Sequence, residues 1–172
     1  MRSNFAVAFA VGLACIAIAI GGIFFMQRGD KIDLPGKILK VRTAVLDDGK
    51  SDRGPDHPPS SEAVIDFRVS NPSDVLFEVR TVTVQMVGAD GKTIEGQVAS
   101  DNDAAQLMQG LPALGEKYNK TLMMKERIGA HASQDRMVAA RFETPLDQME
   151  ARKRFILRIE EVDGKVFEYL EK

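Results

Sequence analysis

Residues 62–70 read EAVIDFRVS, and this stretch decides the fold. Its side chains alternate along the chain: the apolar set is Ala63, Ile65, Phe67 and Val69, and the polar set is Glu62, Asp66, Arg68 and Ser70. A period of two places the apolar set on one face of an extended chain. The stretch therefore predicts a β-strand with one buried face, and Asn71-Pro72-Ser73-Asp74 ends it with turn chemistry.

Similar patterns on both sides of this strand predict a sheet. In residues 39–45, Lys40 and Arg42 lie on the polar face, and in residues 77–87 a change of phase predicts a bulge near Thr81. Glycine-containing turns are expected at 88–92, 129–133 and 162–165. The remaining strands are predicted at 93–99, 120–128, 137–142, 155–159 and 166–170.

Two short helices interrupt the strands. The first is predicted at 101–109, capped by one of the residues 101–103 and stopped by Gly110 and Pro112. The second opens at Thr144-Pro145-Leu146-Asp147, which has the form of a capping box, and runs about two turns to Lys153. Residues 47–61 are rich in Gly, Pro, Asp and Ser and predict a loop. The sum is an all-β, antiparallel β-sandwich over residues 37–172 with two short helices.

A transmembrane helix is expected to precede this domain. Residues 5–26 contain no charge and no proline, and a helix of that length reaches about 33 Å, the thickness of a bilayer's hydrocarbon core. Residues 1–4 form a short tail and residues 27–36 a tether. The run is longer than the apolar core of a cleaved signal and continues past Leu13-Ala14-Cys15, a partial lipoprotein site. We therefore expect an uncleaved signal-anchor that contacts membrane lipid, with signal cleavage and secretion as the alternative.

Two features of the sequence give opposite predictions for the orientation of this anchor. Arg2 precedes the span, whereas Arg28 and several lysines follow it, which favours a cytoplasmic domain. The positive-inside rule, by which flanking positive charges stay in the cytoplasm, weakens for long translocated domains. A four-residue N-terminus is typical of an anchor whose N-terminus stays inside. The domain is expected on the periplasmic or extracellular face of the cell membrane.

Composition excludes several classes of function. The chain has 172 residues and a formal charge of −2, and its charged residues are dispersed, which argues against binding nucleic acid. It has no tryptophan, and its one cysteine, Cys15, lies in the apolar run, so the domain has no thiolate chemistry.

No residue set in the domain indicates catalysis or a metal. His57 lies in a loop and His131 in a turn, and we interpret both as surface residues. Asp101-Asn102-Asp103 and residues 47–52 lack the later ligands of a calcium loop, so capping and turn formation explain them. Asn119-Lys120-Thr121 is a glycosylation acceptor only in a glycosylating host. Arg152-Lys153-Arg154 is interpreted as a solvated helix end.

One corner carries a family resemblance. The strand ending in Asn71-Pro72-Ser73, followed by the strand FEVRTVTV at 77–84, resembles the water-stress (WHy) and late-embryogenesis-abundant type-2 domains. The resemblance implies an immunoglobulin- or fibronectin-III-like sandwich and a non-enzymatic role. The loop at 47–61 and the helix at 101–109 depart from those domains.

These observations predict a membrane-anchored, non-catalytic interaction or scaffolding module of the cell envelope, with a protein partner and no cofactor. Binding is expected at the loops 47–61 and 100–118 or at a sheet edge. A stress-protective domain without a specific partner is the alternative. An enzyme is not expected.

Overall fold

The structure is a computed structural model, and it describes residues 32–47 and 58–172 together with Gly12, Ile16 and Ile18. The chain divides into two compact units, Met1–Lys31 and Ile32–Lys172. The three isolated positions of the first unit are helical. The predicted tail, most of the predicted span 5–26, the start of the tether and His57 lie outside the described residues. Among the described residues, no helix is long and apolar enough to cross a bilayer.

In the described residues of the second unit, eight strands and two short helices form an antiparallel β-domain. Its first half contains β1 (Gly36–Asp47), β2 (Ser60–Ser70), β3 (Phe77–Val87), β4 (Thr93–Val98) and helix α1 (Asp101–Gly110). A 3₁₀ turn at Pro112–Leu114 leads to β5 (Arg127–Ile128) and β6 (Ser133–Phe142). Helix α2 (Leu146–Glu150), β7 (Arg154–Glu161) and β8 (Val166–Leu170) complete it. The all-β prediction with two helices is confirmed.

The sheet is curled, and its strand order is β1-β2-β6-β4-β3-β7-β8, with β5 paired to β3. Strand β4 links two groups of strands in this order. Its first residues pair with β3, and Gln97 and Val98 pair with β6. The change of partner comes directly after Gly96, where an added Cβ would lie 2.5 Å from the ring of Phe142. The aromatic ring thus packs directly on the backbone at the point where β4 passes from one partner strand to the other.

The main core lies inside the curl. The apolar row of β2 predicted from residues 62–70 faces this core, and the predicted bulge near Thr81 is present as a register shift between Val79 and Thr81. Phe142 and Phe155 pack with ring centroids 5.6 Å apart, and Phe77 and Phe167 meet edge-on at 5.7 Å. Four phenylalanines are among the largest fully buried side chains: Phe67, Phe77, Phe142 and Phe155.

A second, smaller core lies on the outer face of the sheet. Helix α1 and the 3₁₀ turn place Ala104, Met108 and Leu114 against Val64 of β2. The residues 60–67 are consequently buried on both faces. The expectation of only one buried face is wrong here, because the α1 segment covers the row that contains Glu62 and Asp66.

Asn71 anchors the turn that follows β2. Its Nδ2 donates hydrogen bonds to the carbonyls of Val75 at 2.8 Å and of Ile128 and Gly129 at 3.1 Å. Its Oδ1 accepts from the backbone N–H and the hydroxyl of Ser73. The side chain is buried with its hydrogen-bonding capacity used, so the Asn-Pro-Ser corner fixes the β2–β3 turn to the turn after β5.

Three predicted boundaries are wrong. Residues 120–128 are a strand only at the end, because the bridge at Thr121 is isolated and Lys125, at a φ of 64°, turns the chain. Helix α2 has no side-chain cap and is shorter than predicted, because the N–H of Lys153 already bonds to Val87 of the sheet. The cap of α1 is Ser100 rather than one of the residues 101–103.

Candidate functional site

A cleft of about 580 Å³ lies between α1 and the outer face of the sheet. We call it the α1 cleft. The sheet forms its floor and α1 its wall, and its mouth is open to solvent. The residues that line it are Leu46, Glu62, Gln97, Val98, Ala99, Asp103, Gln106, Leu107, Gly110, Leu111 and Arg141. Its volume is in the range of pockets that hold small ligands or a few side chains of a partner.

The floor follows from the register of three strands. Glu62 of β2 stands opposite Arg141 of β6, and Arg141 stands opposite Gln97 of β4. Directly opposed residues of antiparallel strands point to the same face. The three polar side chains therefore form one row across the sheet beneath α1.

Glu62 is the unusual member of this row. It is only 1% exposed, and neither carboxylate oxygen has a hydrogen-bond partner among the described residues. Desolvation by burial raises the pKa of Glu62 to about 7, and the positive charge of Arg141 opposes this rise. Arg141 is exposed and forms no ion pair with Glu62 within the described part of the chain. An unpaired buried carboxylate costs stability, which is typical of a site that serves a purpose other than folding.

The wall of the cleft is a capped helix end. Ser100 caps α1, its hydroxyl donating to the Asp103 carboxylate at 2.6 Å and accepting from the Asp103 N–H. The carboxylate of Asp101 accepts from Lys117 Nζ at 2.5 Å and from the N–H of Thr121 at 3.1 Å. The Lys117 hydrogen bond, followed by that of Thr121, lowers the pKa of Asp101 to about 2. The N-terminal turn of α1 therefore carries two carboxylates with structural partners.

A buried ion pair fixes the segment behind the cleft. Arg42 Nη2 lies 2.7 Å from Asp66 Oδ2, and Arg42 also donates to the carbonyls of Leu114 and Glu116. Asn119 Nδ2 donates to the other oxygen of Asp66 at 2.9 Å. The prediction that Arg42 lies on a solvated face is wrong, because the segment after α1 folds over it. Asn119, the possible glycosylation acceptor, takes part in the same network.

The structure also places the remaining residues that sequence analysis considered. His131 lies in an exposed turn at a φ of 55°, and its Nε2 is 2.8 Å from Asp74 Oδ1. Arg152 is not a solvated helix end, because it pairs with Glu171 through two hydrogen bonds and lies over the Phe155 ring. Within residues 32–47 and 58–172, no group of three or more His, Cys, Asp or Glu residues could hold a metal ion.

Sequence reasoning missed Glu62 as a site residue. The strand pattern assigned it to the polar face, and nothing in residues 62–70 says that another segment covers that face. One feature of the sequence indicates that this face is covered: Val64 is an apolar residue in the polar row of β2. In the structure Val64 packs with the apolar residues Ala104, Met108 and Leu114.

No protein-family model matches the chain, and no curated protein matches it. One solved structure that it resembles is described as "X-ray structure of Northeast Structural Genomics Consortium target SoR45". The identity is 13%, the match covers 83% of this chain and 82% of that chain, and the TM-score is 0.33.

Proposed function

We propose that the chain is a membrane-anchored, non-catalytic binding module of the cell envelope, and that it binds a protein partner at the α1 cleft. The observation that carries the proposal is the unpartnered Glu62 carboxylate buried in an otherwise largely apolar cleft. Burying such a group without a partner opposes folding. A partner that enters the cleft and supplies a donor would remove that cost.

The arrangement of the strands supports an immunoglobulin-like sandwich for this module. In immunoglobulin domains the first, second, fifth and fourth strands form one sheet, and the third, sixth and seventh form the other. With the two-residue β5 set aside, β1-β2-β6-β4 and β3-β7-β8 reproduce these two groups. Such sandwiches present binding surfaces on loops and exposed faces, and the 100–118 segment supplies the wall of the α1 cleft through α1 and Leu111. The resemblance to WHy and late-embryogenesis-abundant type-2 domains belongs to the same proposal.

The anchor is proposed from residues 5–26, and the domain is placed on the periplasmic or extracellular side. Protease added to intact spheroplasts should digest the domain while the N-terminal segment stays in the membrane fraction. Protection until lysis would reverse the orientation. Recovery of the domain in the medium with a new N-terminus would replace the anchor with a cleaved signal.

Binding at the cleft is tested by photo-crosslinking in the full chain. A photoreactive amino acid replaces Gln106, an exposed residue of the cleft, or Asp163, an exposed residue in the turn between β7 and β8. A discrete adduct from position 106 that is absent from position 163 supports the proposal, provided that Leu107→Arg abolishes it in a chain with unchanged thermal unfolding. Equal adducts from both positions, or none from position 106, would contradict it.

A further inference from the structure

We infer that the α1 cleft takes an alkylammonium group, a protonated amine on an aliphatic stem, with Glu62 as its counter-charge. This inference rests on the proposed function and names the chemistry that the partner presents. Two sources share that chemistry: a lysine side chain of a partner protein and a free small amine.

The first argument is the vacant hydrogen-bonding capacity of Glu62. An ionised carboxylate accepts up to about four hydrogen bonds and donates none, so its missing partner is a donor. Both oxygens lack partners among the described residues, and Arg141 does not reach them. An ammonium group supplies three donors and a positive charge at a single point, which suits a single buried carboxylate in the floor of the cleft.

The second argument is the apolar lining. Leu46, Leu107 and Leu111 contribute apolar side chains around the approach to Glu62. An aliphatic stem of about four methylenes gains free energy by leaving water for such walls, while its charged head continues to the carboxylate. A compact inorganic cation has no stem to fill this space.

The third argument is the balance of charge. Ionised Glu62 and Asp103 place two negative charges in the lining, against the one positive charge of Arg141. The N-terminal end of α1 would attract an anion, but Ser100 and Asp103 already cap it. An anionic ligand would therefore meet two carboxylates, whereas a cation restores the balance.

Binding of a cation to Glu62 is coupled to the release of a proton. A cation binds the ionised form of Glu62, so below the pKa of about 7 each binding event must release a proton. The charged groups that face Glu62 from the packed elements are Arg141 on β6 and Asp103 on α1. Affinity is expected to fall up to about tenfold per pH unit below that pKa and to level off above it.

The test uses the purified full chain in a neutral detergent, with the side-chain carboxyl carbons of glutamate labelled for NMR. The free-amine probe is n-butylammonium, and its uncharged counterpart is 1-butanol. The peptide probe is a blocked Gly-Lys-Gly tripeptide, and its counterpart carries norleucine in place of lysine. Titrations at pH 8 and pH 6 follow the Glu62 carboxyl signal and give an apparent Kd for each probe.

We expect both cationic probes to shift the Glu62 signal and to bind at least about tenfold more tightly than their uncharged counterparts. Glu62→Gln should remove that difference. The matched control is Glu161→Gln: Glu161 is also buried with an unpartnered oxygen and a pKa raised by desolvation, but it lies at the end of β7. A tighter lysine peptide assigns the source to a protein partner, and a tighter butylammonium assigns it to a small amine.

The inference is overturned if the uncharged probes bind as well as the charged ones, or if Glu62→Gln binds like the wild type. These results separate it from the proposed function. A position-106 crosslink that survives Glu62→Gln but not Leu107→Arg would keep the cleft as a binding site and remove only the ammonium. Loss of cleft-specific crosslinking together with a negative titration would remove both.

Discussion

Glu62 on β2 and Arg141 on β6 stand directly opposite each other in the antiparallel register, and no ion pair joins their side chains. Arg141 is exposed to solvent while Glu62 is buried, so the arginine only weakens the effect of desolvation on the carboxyl group. The charge of Glu62 at neutral pH is therefore set by burial, and stability should respond to it.

We predict that Glu62→Gln stabilises the domain at high pH. The pKa of Glu62 is raised from 4.5 to about 7 in the folded state, so the folded chain holds a proton that the unfolded chain releases. The free energy of unfolding thus falls as pH rises through this window and levels off above it. One pKa unit corresponds to about 1.4 kcal/mol, so the advantage of the variant over the wild type should grow by about 3 kcal/mol.

Urea unfolding at pH 4.5, 6, 7 and 8 measures this difference. Glu95→Gln is the control, because Glu95 is an exposed glutamate of β4 and its substitution should give no comparable trend. A constant difference between Glu62→Gln and wild type at all four values would mean that the pKa of Glu62 is the same in the folded and unfolded states.

We predict that Asn71→Ala destabilises the domain by at least about 2 kcal/mol. The substitution leaves the carbonyls of Val75, Ile128 and Gly129 without their common donor, and buried acceptors without partners are costly. Ser73→Ala removes only one hydroxyl from the same corner and should cost about 1 kcal/mol. Equal effects of the two variants in urea unfolding would show that Asn71 does not organise the corner.

We predict that Tyr169→Phe destabilises the domain by about 1 kcal/mol. The Tyr169 hydroxyl donates a 2.5 Å hydrogen bond to the carbonyl of Leu34, and both residues are buried. The bond attaches β8 to the segment that leads into β1. Tyr118→Phe is a matched control, since Tyr118 is 77% exposed, and its thermal unfolding should be unchanged. A Tyr169→Phe variant with wild-type stability would mean that water replaces the lost donor.

We predict that Gly96→Ala costs about 1–3 kcal/mol, because the new Cβ would lie 2.5 Å from the Phe142 ring. Phe142→Leu in the same chain should recover part of this loss, since the smaller side chain gives the methyl group room. The control is Gly110→Ala, where no atom lies within 4 Å of the added Cβ. Additive effects of Gly96→Ala and Phe142→Leu in a double-mutant cycle would exclude this contact as the cause.

The strands were predictable where one row of side chains is apolar and the other polar. Residues 62–70 and 77–87 have that pattern, and β2, β3 and the bulge after Val79 follow it. Prediction failed where tertiary contacts determine whether a side chain is buried. The alternating pattern of β1 predicts that Arg42 faces solvent. Its side chain is largely buried instead, because the segment that contains Leu114 and Glu116 folds across it and accepts its hydrogen bonds.

The candidate site was less predictable than the fold. The helix of the α1 cleft was expected at nearly its observed bounds, and the 100–118 segment was named as a binding region. Glu62 was assigned to a polar row, because a strand pattern records which residues share a face and not what covers that face. Strand β4 shows the same limit, since its sequence pattern does not reveal that it pairs with β3 up to Gly96 and with β6 from Gln97 onward.

The pairing of β2 with β6 also determines when the cleft can exist. Glu62 and Arg141 lie nearly eighty positions apart in the chain, and residues 133–142 must be present before β2 has its inner neighbour. A chain that emerges from the ribosome or crosses a membrane N-terminus first therefore presents Glu62 to water for most of its synthesis. Pairing between such distant positions is also slow, because the loop-closure entropy must be paid before the contact forms. The buried carboxylate is thus a property of the nearly complete chain, and a product truncated before β6 would lack the floor of the α1 cleft that Arg141 provides.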